Sequence, residues 1–276
     1  VPLNLKVIFK KTIGLKVARV IFLGTGGGRF ATIYQVRATG GVYIEDKLRI
    51  HIDPGPGALV QMHRFGVNPT KTDIIAVSHA HTDHYTDVEV LIEGITNGGT
   101  KKKGVLLGSQ SVIEGYDIYD PVISKYHMGL VDKVLGMQPG DEYRSRNLKI
   151  RATKSFHNDP TTIGFKIKTS QGIISYIADT DYDRTLILQH RGTRVLILPV
   201  TRPLGAKIPY HLSTDEAAKI IKGVKPEIAI LTHFGLKMIE ENPDFQADWI
   251  WKETGIRTIA ADDGMVVEID EKIEVT

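Results

Sequence analysis

Ser78-His79-Ala80-His81-Thr82-Asp83-His84 is the stretch on which this sequence turns. Three imidazoles and a carboxylate fall within six consecutive positions, a concentration that is costly unless something binds it. The residues before it, Ile74-Ile75-Ala76-Val77, are apolar, partly β-branched and too few for a helix, so they read as a short buried strand. The cluster therefore begins where a strand ends, and side chains there leave the sheet and can converge on one point. His79 and His81 can reach one ion from one side of an extended segment, while Asp83 and His84 lie further round the turn. One loop thus serves two metal ions about 3.5 to 4 Å apart, the separation of two-metal hydrolases.

The pattern H-x-H-x-D-H, filled by His79, His81, Asp83 and His84, resembles the signature of the metallo-β-lactamase fold superfamily of hydrolases. That pattern goes on to ask for a His, an Asp and another His, each at a strand end. The chain supplies them in order. His157 follows the strand-like Lys149-Ile150-Arg151-Ala152, Asp179 ends the apolar run Ile173 to Ala178, and His233 ends Ile228 to Leu231. A lone His is ordinarily a hydrogen-bonded structural residue, but seven matches in order point to a metal site. The resemblance implies that His79, His81 and His157 hold one ion, Asp83, His84 and His233 the other, and that Asp179 bridges them. His51, His63, His127 and His190 have no place in the pattern and read as structural or surface residues.

The chain of 276 residues, 42% hydrophobic, is long enough to bury a large core, and 1 to 276 reads as a single domain. It contains no Cys, so disulfides and thiolate ligands are excluded and any metal must be bound by nitrogen and oxygen. Two divalent ions are implied, Zn2+ foremost, with Mn2+ or Fe2+ also compatible. A net charge of +3 is too small to imply nucleic-acid binding by itself. No apolar run is long enough to span a membrane, and the first residues alternate Leu3, Leu5, Val7 and Phe9 with polar ones, unlike a signal peptide. A cytoplasmic protein is expected.

In chain order, residues 1 to 16 are expected to form an edge strand or arm, and Val17 to Leu23 a strand. Gly24-Thr25-Gly26-Gly27-Gly28 follows. It lacks both the Gly-Lys-Ser/Thr and the G-x-G-x-x-G phosphate motifs, and reads as a tight turn passing close beneath the metal loop. Strands Gly41 to Glu45 and Arg49 to Ile52 form a hairpin, and Asp53 then opens the turn into a helix over Ala58 to Phe65. Asp53 reads as a helix-entry residue and resembles the Asp of the family's Ile-Asp-x-Gly turn, which implies that it supports the metal loop by hydrogen bonding. A helix over Asp87 to Ile95, a solvated Lys101-Lys102-Lys103 loop and a strand at Gly104 to Leu107 come next, then an irregular or helical, Tyr-rich region from 109 to 145. Strands are expected at 149–152, 163–169, 172–178, 195–198 and 228–231, with helices at Asp183 to His190, Ser213 to Gly223 and Asn242 to Thr254. Ser213 and Glu216 make a capping box, and Arg257 to Ala260 and Met265 to Ile269 close the sheet. The α/β pattern fits the four-layer αβ/βα sandwich that the resemblance implies.

Within the superfamily the similarity is greatest to the ribonuclease Z-like and cyclic phosphodiesterase branch. His211, in Tyr210-His211-Leu212-Ser213-Thr214, resembles the additional active-site His of those enzymes. Only 22 residues lead from His157 to Asp179, too few for the long tRNA-binding arm often inserted there in ribonuclease Z. The structural Cys-based zinc site of some compact phosphodiesterases is missing, since there is no Cys.

The resemblance therefore implies a dinuclear phosphodiesterase for small or cyclic phosphodiesters. A hydroxide bridging the ions attacks phosphorus, Asp83 orients it as well as binding metal, and His211 assists the leaving group. An RNA endonuclease without the arm, or a lactonase or other ester hydrolase, is the alternative. The expected partner is a small-molecule phosphodiester, with RNA less favoured, no membrane, and a homo-oligomer compatible with the family.

Overall fold

A computed structural model describes residues 17–145 and 148–276. The arm expected at residues 1 to 16 lies outside the described residues. The chain starts with strand β1 (Ala18–Gly24), helix α1 (Arg29–Tyr34) and the hairpin of β2 (Thr39–Glu45) and β3 (Arg49–Ile52). Helix α2 (Ala58–Arg64), strand β4 (Ile74–Val77), a single helical turn α3 (Thr82–Tyr85) and helix α4 (Val88–Ile95) follow. Strand β5 (Val105–Ser109), helices α5 (Gln110–Ile113) and α6 (Lys125–Leu130) and strand β6 (Lys133–Met137) complete the first half.

The second half runs through β7 (Glu142–Ser145), β8 (Leu148–Lys154), β9 (Ile163–Thr169) and β10 (Gly172–Tyr176) to helix α7 (Arg184–Gln189). Then come β11 (Val195–Pro199), α8 (Thr214–Val224), β12 (Ile228–Thr232), α9 (Leu236–Glu240), α10 (Pro243–Thr254) and β13 (Thr258–Ala260). Strands β14 (Val266–Ile269) and β15 (Ile273–Val275) return to the first half. One sheet has the order β15-β14-β1-β2-β3-β4-β5-β6 and the other β13-β12-β11-β10-β9-β8-β7.

Strict side-chain alternation makes four layers from these two sheets. In β4, Ile74 and Ala76 enter the core between the sheets, while Ile75 and Val77 enter an outer core under Met62, Leu91 and Ile92 of α2 and α4. In β11, Val195 and Ile197 face the other sheet, while Leu196 and Leu198 pack beneath Ile220, Ile221 and Ile250 of α8 and α10. Such strands are apolar at every position because both faces are covered. The architecture is thus the expected αβ/βα sandwich, and the capping box of Ser213 and Glu216 opens α8 as expected.

Two expectations need correction. The region from 109 to 145 is not only irregular or helical, since it contributes β6 to one sheet and β7 to the other. These are edge strands, half exposed, without the apolar run that marks a buried strand. The two C-terminal strands do not close one sheet: β13 edges the second, whereas β14 pairs antiparallel with β1 in the first. Asp83 and His84 lie further round the turn, as expected: His81 is extended and the single helical turn α3 carries the two residues after it.

Candidate metal centre

The strand ends deliver the expected side chains to one place. His79 and His81 follow β4, Asp83 and His84 ride on α3, His157 follows β8, Asp179 lies just beyond β10, and His233 immediately follows β12. Donor atoms of His79, His81 and His157 converge as one group, and those of Asp83, His84 and His233 as another. His79 Nε2 is 2.9 Å from His81 Nδ1, and His157 Nε2 is 3.2 Å from that same Nδ1. His233 Nε2 lies 3.3 Å from His84 Nε2 and 3.4 Å from Asp83 Oδ2. Asp179 Oδ2 stands between the groups, 3.3 Å from His233, 3.5 Å from His211, 3.9 Å from His84 and 4.0 Å from His157.

Four of the five rings are oriented from behind. His84 Nδ1 donates to Asp53 Oδ2 at 2.9 Å, and His157 Nδ1 donates to the Tyr210 carbonyl at 3.0 Å. His79 Nδ1 meets Ser78 Oγ at 2.8 Å, and His233 Nδ1 meets Thr201 Oγ1 at 3.1 Å. In all four the second nitrogen, Nε2, is the one that faces the centre. Fixing one ring nitrogen in this way settles the tautomer and aims the remaining lone pair. Asp53 supports the metal loop as expected. Buried, at φ 50, it also accepts from Ser78 N–H and Oγ–H, both at 2.7 Å, and from the Tyr176 hydroxyl at 2.8 Å.

The glycine turn closes the site from the other side, as its position beneath the metal loop requires. Gly28 N–H donates to Asp83 Oδ2 at 3.0 Å. At Gly27 a Cβ would stand 2.1 Å from the His233 ring, so only glycine lets the turn pass. His233 itself adopts φ 60, a conformation rare outside glycine and typical of functional sites.

The electrostatics suit cations. Burial, then the neighbouring His84, His157 and His81, push His79 well below the usual histidine range, and burial, only partly offset by Asp179, takes His157 down to about 4. Burial would raise Asp83, but His84 and His233 hold it well below the carboxylate range, and burial of Asp179 is likewise outweighed by His233 and His84, leaving it at about 2. Burial also opposes charge on His84, yet Asp83 and Asp53 outweigh it and raise that ring well above its ordinary value. His79, His81 and His157, kept neutral beside ionised Asp83 and Asp179, are in the states that metal ligation needs. At His84 and His233 the carboxylates instead draw positive charge toward the rings, the place a bound cation would take instead of a proton. Asp179 Oδ1 is buried with no hydrogen-bond partner among the described residues, an expensive position for a carboxylate oxygen unless a cation compensates it. The residues present therefore fit a pair of divalent ions bound through nitrogen and oxygen.

Sequence reasoning missed three supports. Asp159 is fully buried and accepts from Ala80 N–H at 3.1 Å and Ser111 Oγ–H at 2.5 Å, tying the His157 loop to the His79 loop. Thr201 joins His233 to His211, whose Nδ1 is 3.4 Å from its hydroxyl, and Tyr210 supplies its carbonyl from a φ of 66. Isolated polar residues in loops carry no periodic signal, although an Asp two residues after the candidate ligand His157 was an available hint.

His211 lines the pocket beside the cluster, with Nδ1 facing Asp179. Arg202 lines it too, with Nε donating to the Ala206 carbonyl, whereas Lys207 is drawn off to Glu216 and Asp181. The Lys101 to Lys103 loop stays on the surface, and Lys103 Nζ donates to the Thr70 carbonyl. Among the other histidines, His51 and His190 are buried, His63 is exposed, and His127 sits at the surface against Glu89 and Glu93.

A four-layer sandwich with this centre at its strand ends is that of a metal-dependent hydrolase. Residues 48–234 match the beta-lactamase superfamily domain, and the chain belongs to the metallo-β-lactamase superfamily, whose fold implies divalent metal ions. An uncharacterized protein of Methanocaldococcus jannaschii is 44% identical over 253 residues, 91% of this chain and 94% of its own. A ribonuclease Z of Methanosarcina mazei is 28% identical over 149 residues, 54% of this chain and 48% of that protein. The metallo-β-lactamase fold protein YhfI of Bacillus subtilis shares the fold, with a TM-score of 0.76 at 21% identity over 92% of this chain and 99% of its own. Among the described residues no helix is long and apolar enough to cross a membrane.

Proposed function

We propose that this chain is a dinuclear metal-dependent phosphodiesterase acting on small or cyclic phosphodiesters, with zinc the metal best suited to its nitrogen-rich donor set. His79, His81 and His157 would hold one ion, Asp83, His84 and His233 the other, and Asp179 would bridge them. Bound ions supply Lewis acidity toward the phosphoryl oxygens and make water acidic enough to react at neutral pH.

The observation that carries the reading is His211. It sits in the pocket beside the cluster, outside the six terminal ligands, with Nδ1 held by Asp179 Oδ2 at 3.5 Å and Thr201 Oγ1 at 3.4 Å. An imidazole anchored at Nδ1 by a carboxylate can take a proton at Nε2 and, as the imidazolium, pass it on. Burial opposes that charged form and lowers His211, although Asp179 favours it, making the proton readily given up. Cleavage of a phosphodiester needs such a donor for the departing alkoxide. Asp83 accepts from Gly28 N–H and keeps its carboxylate at the edge of the pocket, where it can orient an attacking water. The relationship to a ribonuclease Z supports phosphodiester chemistry. The interval from His157 to Asp179 holds only a loop, β9 and β10, which supports a small substrate over tRNA.

The test is hydrolysis of bis(p-nitrophenyl) phosphate by protein stripped with chelator and reloaded separately with zinc or manganese. Metal-restored turnover is expected, and His211→Ala should lower it roughly 100- to 10,000-fold without lowering metal content. Absence of turnover in protein carrying two ions per chain would shift the reading to acyl esters such as lactones. Joint loss of metal and activity in His211→Ala would make that residue structural.

A further inference from the structure

Helix α1 is turned inside out. Of its six residues only Ala31 is buried, while Phe30, Ile33 and Tyr34 are 62%, 64% and 67% exposed. Positions i, i+3 and i+4 share one helix face, so these three make a continuous apolar surface. A face of this kind on a soluble fold marks a place where something binds. Its location says what binds, because Phe30 and Ile33 line the same pocket of about 650 Å³ that opens onto His81, Asp83 and His211.

The remainder of the lining narrows the occupant. Tyr210, 46% exposed, adds a second aromatic ring to the pocket wall, and Arg29, Arg202 and Lys237 add cations. Arg29 is exposed and has no ion pair among the described residues, and Arg202 uses only Nε, on a backbone carbonyl. The pocket is therefore anion-seeking at the metal end and along one rim, and apolar and aromatic on its walls. Its volume lies within the range of sites for whole small ligands and exceeds the needs of a phosphoryl group. A sugar phosphate would leave the apolar wall wet. A simple alkyl chain would make no use of aromatic rings placed beside a guanidinium. A nucleobase uses all of these, since its flat face stacks on aromatic side chains and on arginine.

We propose that Phe30 and Ile33 form the subsite for the nucleobase of a nucleoside phosphodiester, with Tyr210 and Arg29 beside it and the phosphoryl group directed to the metal centre. The inference rests on the phosphodiesterase reading for the reaction, but base recognition can be measured apart from turnover.

The experiment uses zinc-loaded protein and compares adenosine 5′-monophosphate with ribose 5-phosphate by isothermal titration calorimetry, two ligands that differ only by the base. The nucleotide is expected to bind roughly 5- to 150-fold more tightly, the range that stacking of one base on an aromatic side chain spans. Phe30→Ala should bring that ratio close to one, and Phe30→Trp should keep it. Phe30 is exposed, so its removal spares the core. Equal affinity of the two ligands, a ratio untouched by Phe30→Ala, or binding of neither by protein that cleaves bis(p-nitrophenyl) phosphate would each overturn the proposal. So would a shift from dimer to monomer on Phe30→Ala with the ratio unchanged, which would make the helix a contact between copies. A base-dependent ratio in protein that hydrolyses no diester would leave the subsite standing and refute the reaction instead.

Discussion

Replacing Gly27 by Ala tests whether the turn after β1 is shaped by the metal centre. The backbone at Gly27 is outside the left-handed region, so alanine is allowed there and any effect comes from the new methyl group. Its Cβ would stand 2.1 Å from His233 Cδ2, 2.2 Å from Cγ and 2.4 Å from Nδ1, whereas ordinary contact begins at 3.4 Å. The ring must therefore retreat by about 1.3 Å, the difference between the closest distance and ordinary contact. It has little freedom to do so, because Nδ1 is held by Thr201 and the His233 backbone is already at φ 60. A ligand displaced that far loses its bond. Affinity at the Asp83, His84 and His233 group should fall at least the 10- to 100-fold seen when an outer partner of a ligand is lost. Overpacking should cost about 1 to 3 kcal/mol of stability besides. Metal content would be measured by inductively coupled plasma mass spectrometry after dialysis against graded free zinc, and stability by urea unfolding. Gly57→Ala is the control: Gly57 is at φ 83 with nothing within 4 Å of its Cβ position. It should cost about 1 to 2 kcal/mol through backbone strain alone and leave metal content intact. Full occupancy of both groups in Gly27→Ala, at the free zinc that fills the parent protein, would refute the reasoning.

Three further outcomes follow from the same geometry. Asp53→Asn keeps a residue that tolerates φ 50 but removes the charge behind His84, so zinc retention should weaken about 10- to 100-fold. Dialysis against graded zinc checks this, and unchanged retention would show that the His84–Asp53 bond does not tune the site. Zinc added at a hundred times its Kd should raise unfolding stability by about 2.7 kcal/mol, and His79→Ala should abolish much of that gain. A calorimetric scan with and without zinc reads it, and no shift in the parent protein would count against a preformed site. His190 is buried with neither ring nitrogen hydrogen-bonded among the described residues, and burial, then Lys166, lower it to about 3. The folded state therefore holds it neutral while the unfolded chain takes up a proton below about pH 6.5, so stability is full above that pH and is lost as pH falls toward 3. By pH 4.5 the loss is on the order of 2 to 3 kcal/mol, and His190→Leu should flatten the difference between urea unfolding at pH 7 and pH 4.5. An unaltered pH slope in that variant would place the acid sensitivity elsewhere, for instance at buried His51, lowered to about 4 by burial.

What was legible in the sequence was legible for local reasons. Strands covered on both faces, such as Ile74 to Val77 and Val195 to Leu198, must be apolar at every position, and that run is visible without knowing what covers them. His79 and His233 could be named because they follow such strands, where the change from apolar to His is abrupt, while Asp83, His84, His157 and Asp179 were named through the H-x-H-x-D-H pattern and its continuation. Edge strands β6 and β7 were hidden because one side of each is open to solvent and their residues are mixed. Sheet membership of β14 was hidden for another reason, since pairing with β1 is a long-range choice that the segment's own alternation does not encode.

The sequence by itself therefore determined the candidate donor types, their order along the chain and the buried strand runs, because those follow from side-chain chemistry and local patterning, and the resemblance carried by these motifs supplied the four layers. Only the tertiary structure decided which atoms meet. His84 and His233 are 149 positions apart and Asp179 Oδ2 faces four imidazoles from different segments, while Gly27 and Asp53 earn their roles only through what packs against them. Contacts between distant segments are set by how the two sheets stack, and that depends on the whole core at once.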